Sequence, residues 1–208
     1  MTFAQDERRA LVDSMTEYGP DAPTLCGEWT NRDLAAHLIL RERRLDAAGG
    51  IVLRQLAGRT ERIQAEIAAR PWSTLLDEVR SGPPMWSPLY WVDSVANTSE
   101  MFVHHEDVRR AHPGWQPRVL GEAEQDALWS LVKGVARHGY RNAGVRIVLE
   151  RPSGETITVG ARDARDQVVL RGEPSELLLH AFGRDETTVE ASGEPDAVAA
   201  VLALDRGI

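Results

Sequence analysis

Residues Asn97–Ala111 read "NTSEMFVHHEDVRRA": two adjacent histidines, three carboxylates and two arginines around a few apolar residues. The stretch has helical character, and its reading decides the fold. Side chains four apart share one face of a helix, roughly 5–6 Å apart at Cβ. Glu100 and His104 have that spacing, and Asp107 continues the stripe one turn later. His105 points about 100° away, because a helix has roughly 3.6 residues per turn. A Glu and a His so placed can both reach one divalent ion. The same spacing is also frequent on exposed helices. "HEDVR" is a near miss to the H-E-x-x-H metalloprotease motif, with Arg109 where the second histidine belongs, so that chemistry is rejected.

A metal needs a third donor, and His37 in "GEWTNRDLAAHLIL" is the candidate. Thr30 reads as an N-cap, with Asp33 three residues on as its capping-box partner. Leu34, His37, Leu38 and Leu45 then fall on or near one apolar stripe, which turns the histidine into a bundle. Inward ligands on two helices are a common way to build a metal site in a bundle core. The alternative is an inward histidine that is simply hydrogen-bonded core.

Helical periodicity runs through the first two thirds of the chain and predicts helices over 3–18, 31–47, 52–69, 72–80, 90–111 and 121–141. "GPDAP" at 19–23 ends the first. "SGPPMWSP" at 81–88 cannot be helical throughout, because proline lacks an amide proton and clashes with the preceding turn. "HPGWQP" at 112–117 ends the motif helix. After about Gly144 the pattern changes to short β-branched runs, "VRIVLE", "TITVG" and "QVVLRG", with "PSG" at 152–154 as a hairpin turn. "EPSELLLHAFG" reads as a helix, "TTVEA" as a strand and "EPDAVAAVLALD" as a last helix. The expected organisation is a mainly α protein: a helical domain over 1–142 and a small α+β domain over 143–208.

Composition narrows the function. The 208 residues carry a net charge of -8, which disfavours nucleic acid as a partner. Lys133 is the only lysine, so nearly all basic side chains are arginine. No stretch approaches the roughly 20 apolar residues of a membrane helix. The N-terminus lacks an apolar secretory core. The single cysteine, Cys26, excludes an intrachain disulfide and fits a reducing cytoplasm. Cytoplasmic localisation and a monomer or homodimer are expected.

"EWTNRDLAAHL" followed by "EMFVHHEDVRRA" resembles the mycothiol-dependent maleylpyruvate isomerase family, within the wider DinB-like group of bundle metalloenzymes. The resemblance covers nearly the whole chain. It implies a DinB-like four-helix bundle, and "VLRGEPSELLLHAFGRDETTVEASGEPDAV" resembles that family's sterol-carrier-like C-terminal domain. Carried onto this sequence, the family's ligands are the histidine of W-T-x-x-D-L-x-x-H and the Glu and His of E-x-x-x-H-x-x-D. These are His37, Glu100 and His104. Asp107 matches the trailing acid, with a hydrogen bond to a ligand as its expected role. "TLCGEW" and "RSGPPMWSP" depart from the isomerase itself and look more like an actinobacterial branch, so a different reaction is open.

The resemblance implies a divalent ion, zinc in the first place and nickel in the second, with mycothiol as cosubstrate and a small-molecule substrate. The expected activity is a thiol-dependent transferase or isomerase. The alternatives are a metal-dependent hydrolase using water, and a non-catalytic module whose tail holds an apolar ligand. By resemblance Arg184, in "AFGR", holds an anionic group; the alternative is an exposed helix-end arginine. Cys26 reads as a small buried hydrophobe more readily than as a reactive thiol. His105, His112, His138 and His180 show no partner pattern, and removal of His105 is expected to change neither metal content nor stability. Trp29, Trp86 and Trp91 read as packing residues, the last two as a candidate pocket wall.

Overall fold

The computed structural model describes residues 2–44, 57–87, 90 and 95–207. The chain divides into two compact units, Met1–Trp115 and Gln116–Ile208. The first holds α1 (Phe3–Tyr18), α2 (Asn31–Arg43), α3 (Ala57–Ala68), α4 (Trp72–Ser81) and α5 (Val95–Arg110). The predicted 47 and 52 boundaries, together with Leu45 and Trp91, lie outside the described residues.

Local chemistry sets the helix ends. Thr2 and Gln5 form a capping box at the start of α1, and Thr30 and Asp33 form the predicted one at the start of α2. Gly19 ends α1 at φ 84°, donating its N–H to the Met15 carbonyl. α1 packs against α4 and α5, and α2 against α3 and α4. Leu11, Met15, Leu34, Leu38, Ile67, Leu75, Met101 and Val108 form the core between them. Each such side chain contributes roughly 1.5–3 kcal/mol when buried.

One ion pair crosses this core. The Arg8 guanidinium, on α1, donates twice to the Glu42 carboxylate on α2 and a further bond of 2.9 Å to the Val79 carbonyl on α4. Glu42 is 1% exposed and Arg8 8%. Three helices are thereby locked in one register by a single planar fork.

The second unit holds α6 (Glu122–Gly139), β1 (Arg146–Glu150), β2 (Thr156–Gly160), β3 (Gln167–Arg171), α7 (Pro174–Ala181), β4 (Glu190–Gly193) and α8 (Pro195–Leu202). The sheet order is β2-β1-β3-β4, with β1–β2 and β3–β4 antiparallel and β1–β3 parallel. The predicted hairpin at 152–154 is present, with Gly154 at φ 89°. Ile147, Leu149, Val168, Leu170 and Leu177–Leu179 are buried in this unit's core.

Two expectations are corrected. The boundary falls at 115/116 and not at 142/143, because α6 packs on α7 and β2 and so belongs with the sheet. Gly139 permits the α6–α7 approach: a Cβ there would stand 2.2 Å from the Ala181 carbonyl oxygen. The last strand is Glu190–Gly193, later than "TTVEA" at 187–191, because Thr188 N–H is engaged by the Glu176 carboxylate before the ladder begins.

Removing one partner of the Arg8–Glu42 pair strands a buried charge. Glu42→Ala is expected to destabilise the N-terminal unit by about 3–5 kcal/mol. Replacing both partners with apolar residues of similar volume is expected to come close to neutral, as read by urea unfolding of the three proteins.

Candidate metal centre

The chain between α1 and α2 folds over the start of α2. Thr24 N–H and hydroxyl both donate to the Trp29 carbonyl, Trp29 N–H donates to the Cys26 carbonyl, and Gly27 supplies the positive φ of 62°. Leu25 N–H donates to the Asp107 carbonyl at 3.1 Å, which fastens this turn to α5. The turn therefore delivers Cys26 and Trp29 to the place where α2 and α5 present their polar side chains.

His37 from α2 and Glu100 and His104 from α5 meet there. Glu100 Oε1 lies 3.6 Å from His37 Nε2 and 3.3 Å from His104 Nε2. The three donor atoms all lie within 4.8 Å of one another. The two imidazoles meet edge to face at 5.6 Å, and the Trp29 ring stands 5.1 Å from His37. Adjacent His105 points away, as its helical angle requires.

Behind His104 stands a second group. Asp107 is fully buried, and its Oδ2 lies 2.9 Å from His104 Nδ1 and 3.0 Å from Cys26 Sγ. An ionised carboxylate can only accept, so Nδ1 and the thiol both donate to it. That leaves Nε2, the nitrogen facing Glu100, as the lone-pair nitrogen of neutral His104. A carboxylate behind the far nitrogen of a metal-ligating histidine fixes its tautomer and ring plane. Cys26, His104 Nδ1 and Asp107 are themselves close enough to form a second donor set. Their mutual hydrogen bonds already satisfy it, so it supports the first.

The charges reinforce one another. Burial pushes the Glu100 carboxyl up, but hydrogen bonds from His104 and His37 and the charges of His104 and Arg41 outweigh it and hold the group well below its ordinary range. Burial pushes His104 down, but hydrogen bonds to Asp107, Cys26 and Glu100 and the Glu100 charge raise it well above 6.5. The donor set suits a borderline divalent ion: two imidazole nitrogens and one carboxylate oxygen, carried on packed helices.

Several residues behave differently from expectation. Cys26 is half-buried and hydrogen-bonded at the site, and is not a plain hydrophobe. Arg41 brings its Nε to 3.4 Å from Glu100 Oε1. It stands four residues after His37, the same spacing that singled out Glu100 and His104, so the signal was available in the sequence. His105 has partners after all: its Nδ1 bonds Glu7 at 2.9 Å and its Nε2 lies 3.2 Å from the Ser14 hydroxyl, all inside the α1–α5 contact. His180 bonds the Tyr140 hydroxyl, and His112 stacks on Tyr18 at 3.9 Å. Glu106 is clamped by Arg109 and Arg110, which removes it from any metal chemistry. Trp86 is 64% exposed. Arg184 lies in the C-terminal unit, where its guanidinium donates to the Phe182 carbonyl at 2.8 Å.

The class this defines is a helical bundle with a three-donor His/Glu/His cluster, followed in the chain by a small α+β unit. Residues 3–82 match the family model of the mycothiol maleylpyruvate isomerase N-terminal domain. Two solved structures share the fold. A histidine-to-alanine variant of the mycothiol-dependent maleylpyruvate isomerase superposes with a TM-score of 0.62 at 14% identity, covering 91% of this chain and 90% of that one. The mycothiol-dependent maleylpyruvate isomerase itself gives 0.59 at 15% identity with the same coverage. A comparison with curated proteins finds no match. Among the described residues no helix is long and apolar enough to cross a membrane.

The two shifts have opposite signs in linkage. Glu100 is depressed on folding, so its contribution to stability is present above its ordinary 4.5 and lost as pH falls through the folded value. His104 is raised, so its contribution is present below 6.5 and lost as pH rises through its folded value. Calorimetric melting of chelator-treated protein should therefore show the N-terminal unit losing stability on both sides of the 4.5–6.5 window. A bound divalent ion competes with the His104 proton, so metal-supplemented protein should not show the alkaline loss.

Proposed function

We propose that the His37–Glu100–His104 cluster binds a divalent ion and that the protein uses mycothiol in a transferase or isomerase reaction on a small-molecule substrate. The observation that carries the reading is the convergence of three donor atoms within 4.8 Å, with Asp107 holding the far side of His104. The mycothiol-dependent domain over residues 3–82 supports the choice of thiol. A divalent ion with three protein donors keeps one position for a small molecule and lowers the pKa of a thiol or water placed there. That matters because a free small thiol, with a pKa near 8.5, is mostly protonated at neutral pH.

The chain's own residues then have distinct tasks. His37, Glu100 and His104 present the donors. Asp107 and the Cys26 thiol keep the His104 ring in place. Arg41 offers a guanidinium beside the cluster, suited to an anionic group on a substrate. Trp29 covers His37 with an apolar face. Zinc and nickel both accept this donor set, and elemental analysis decides between them.

Elemental analysis of protein purified without chelator should show one divalent ion per chain. His37→Ala and His104→Ala should lose the ion and all thiol-dependent turnover while keeping helical circular dichroism, because the core does not depend on the cluster. Asp107→Ala should weaken metal affinity by about 10–100-fold. His105→Ala should keep the ion but melt lower, since it leaves Glu7 buried without its imidazole. Full occupancy in His104→Ala would remove the ligand assignment, and turnover without added thiol would favour water as nucleophile.

A further inference from the structure

The C-terminal unit contains a cavity of about 660 Å³ lined by Arg137, Arg141, Arg146, Thr158, Val159, Gly160 and Arg162. The four arginines come from different parts of the fold: the last turns of α6, the turn after it, the first residue of β1 and the loop between β2 and β3. No acidic side chain lines the cavity. Among the described residues none of the four forms an ion pair. Arg141 donates to the His138 carbonyl and Arg146 to the Arg162 carbonyl, each through one guanidinium nitrogen. A guanidinium has five donors, so most of them remain for another acceptor.

This arrangement is electrostatically uphill without a counter-charge. Arg137, in the last turn of α6, and Arg141, in the turn after it, bring like charges to the same hollow. Lys133, the sole lysine, lies one turn earlier on the same face. The chain as a whole carries -8, so four uncompensated cations around one hollow run against its overall charge. Arg151 shows what the same residue does elsewhere in this unit: it bridges Asp126 and Glu155 and lies over the Trp129 ring at 5.6 Å. The cavity floor is backbone at close quarters. Gly160 sits at φ 78°, and a Cβ there would stand 2.4 Å from the Val145 carbonyl oxygen.

We infer that this cavity binds a small soluble polyanion carrying phosphate or carboxylate groups. Its volume falls in the range of small-molecule sites, roughly 300–1,000 Å³. Guanidinium forks match the paired oxygens of phosphate and carboxylate, and several can hold one multiply charged ligand. The Thr158 hydroxyl adds a donor at the rim.

Calorimetric titration of the full chain with inorganic pyrophosphate tests this. Saturable 1:1 binding that weakens with added salt is expected. Arg137→Gln combined with Arg162→Gln should weaken binding at least tenfold without altering the fold, since both side chains are exposed and neither donates within the protein. Arg171→Gln, an exposed arginine paired with Glu150, should bind as the parent does. Equal affinity in the double variant and the parent would place the anion elsewhere, including at the α2–α5 cluster, and overturn the inference. So would failure to bind pyrophosphate together with co-sedimentation on phosphatidylglycerol-containing vesicles, which would mark the arginines as a membrane-facing patch.

Discussion

A single carboxylate oxygen, Glu100 Oε1, joins α2 to α5: it stands between the imidazoles of His37 and His104, and beside Arg41. A half-buried anion in that position is favoured by the cations and donors around it. The same surroundings hold the group ionised. The proposed divalent ion would take the place of a proton and of the ionic contacts arranged around that oxygen.

The helix core and the cluster divide the work of stability and chemistry. The apolar contacts among α1–α5, with Arg8 and Glu42 crossing them, supply the rigid frame. The polar groups at the cluster rely on that frame for position. Asp107 shows the dependence: its main-chain carbonyl anchors the turn carrying Cys26, while its carboxylate orients His104. One residue thus ties the loop before α2 to the imidazole it supports. His105, the neighbour of His104, is spent on frame and not on chemistry, through Glu7 and Ser14.

Much of this was legible in the sequence because it rests on local periodicity. The four-residue spacing of Glu100 and His104 places both on one helix face whatever the rest of the chain does. The Thr30–Asp33 capping box, the strands β1–β3 and the hairpin at Gly154 likewise follow from residues a few positions apart. The apolar stripe after the Thr30–Asp33 cap singled out His37 as the candidate third donor, and the resemblance in "EWTNRDLAAHL" implied the same residue.

What the sequence by itself determined, then, is which face each side chain occupies and which helix starts where. Tertiary structure decided the rest, because it depends on contacts between distant segments. Cys26 reaches Asp107 across 81 positions and His105 reaches Glu7 across 98, and no periodicity signals either pairing. α6 reads as one more bundle helix by its pattern, yet it joins the sheet, since a helix's apolar stripe does not specify its partner and Gly139 admits the α7 backbone. The four arginines of the C-terminal cavity are scattered over 26 positions of sequence, from 137 to 162, and become one site only when β1 pairs with β2 beside the end of α6.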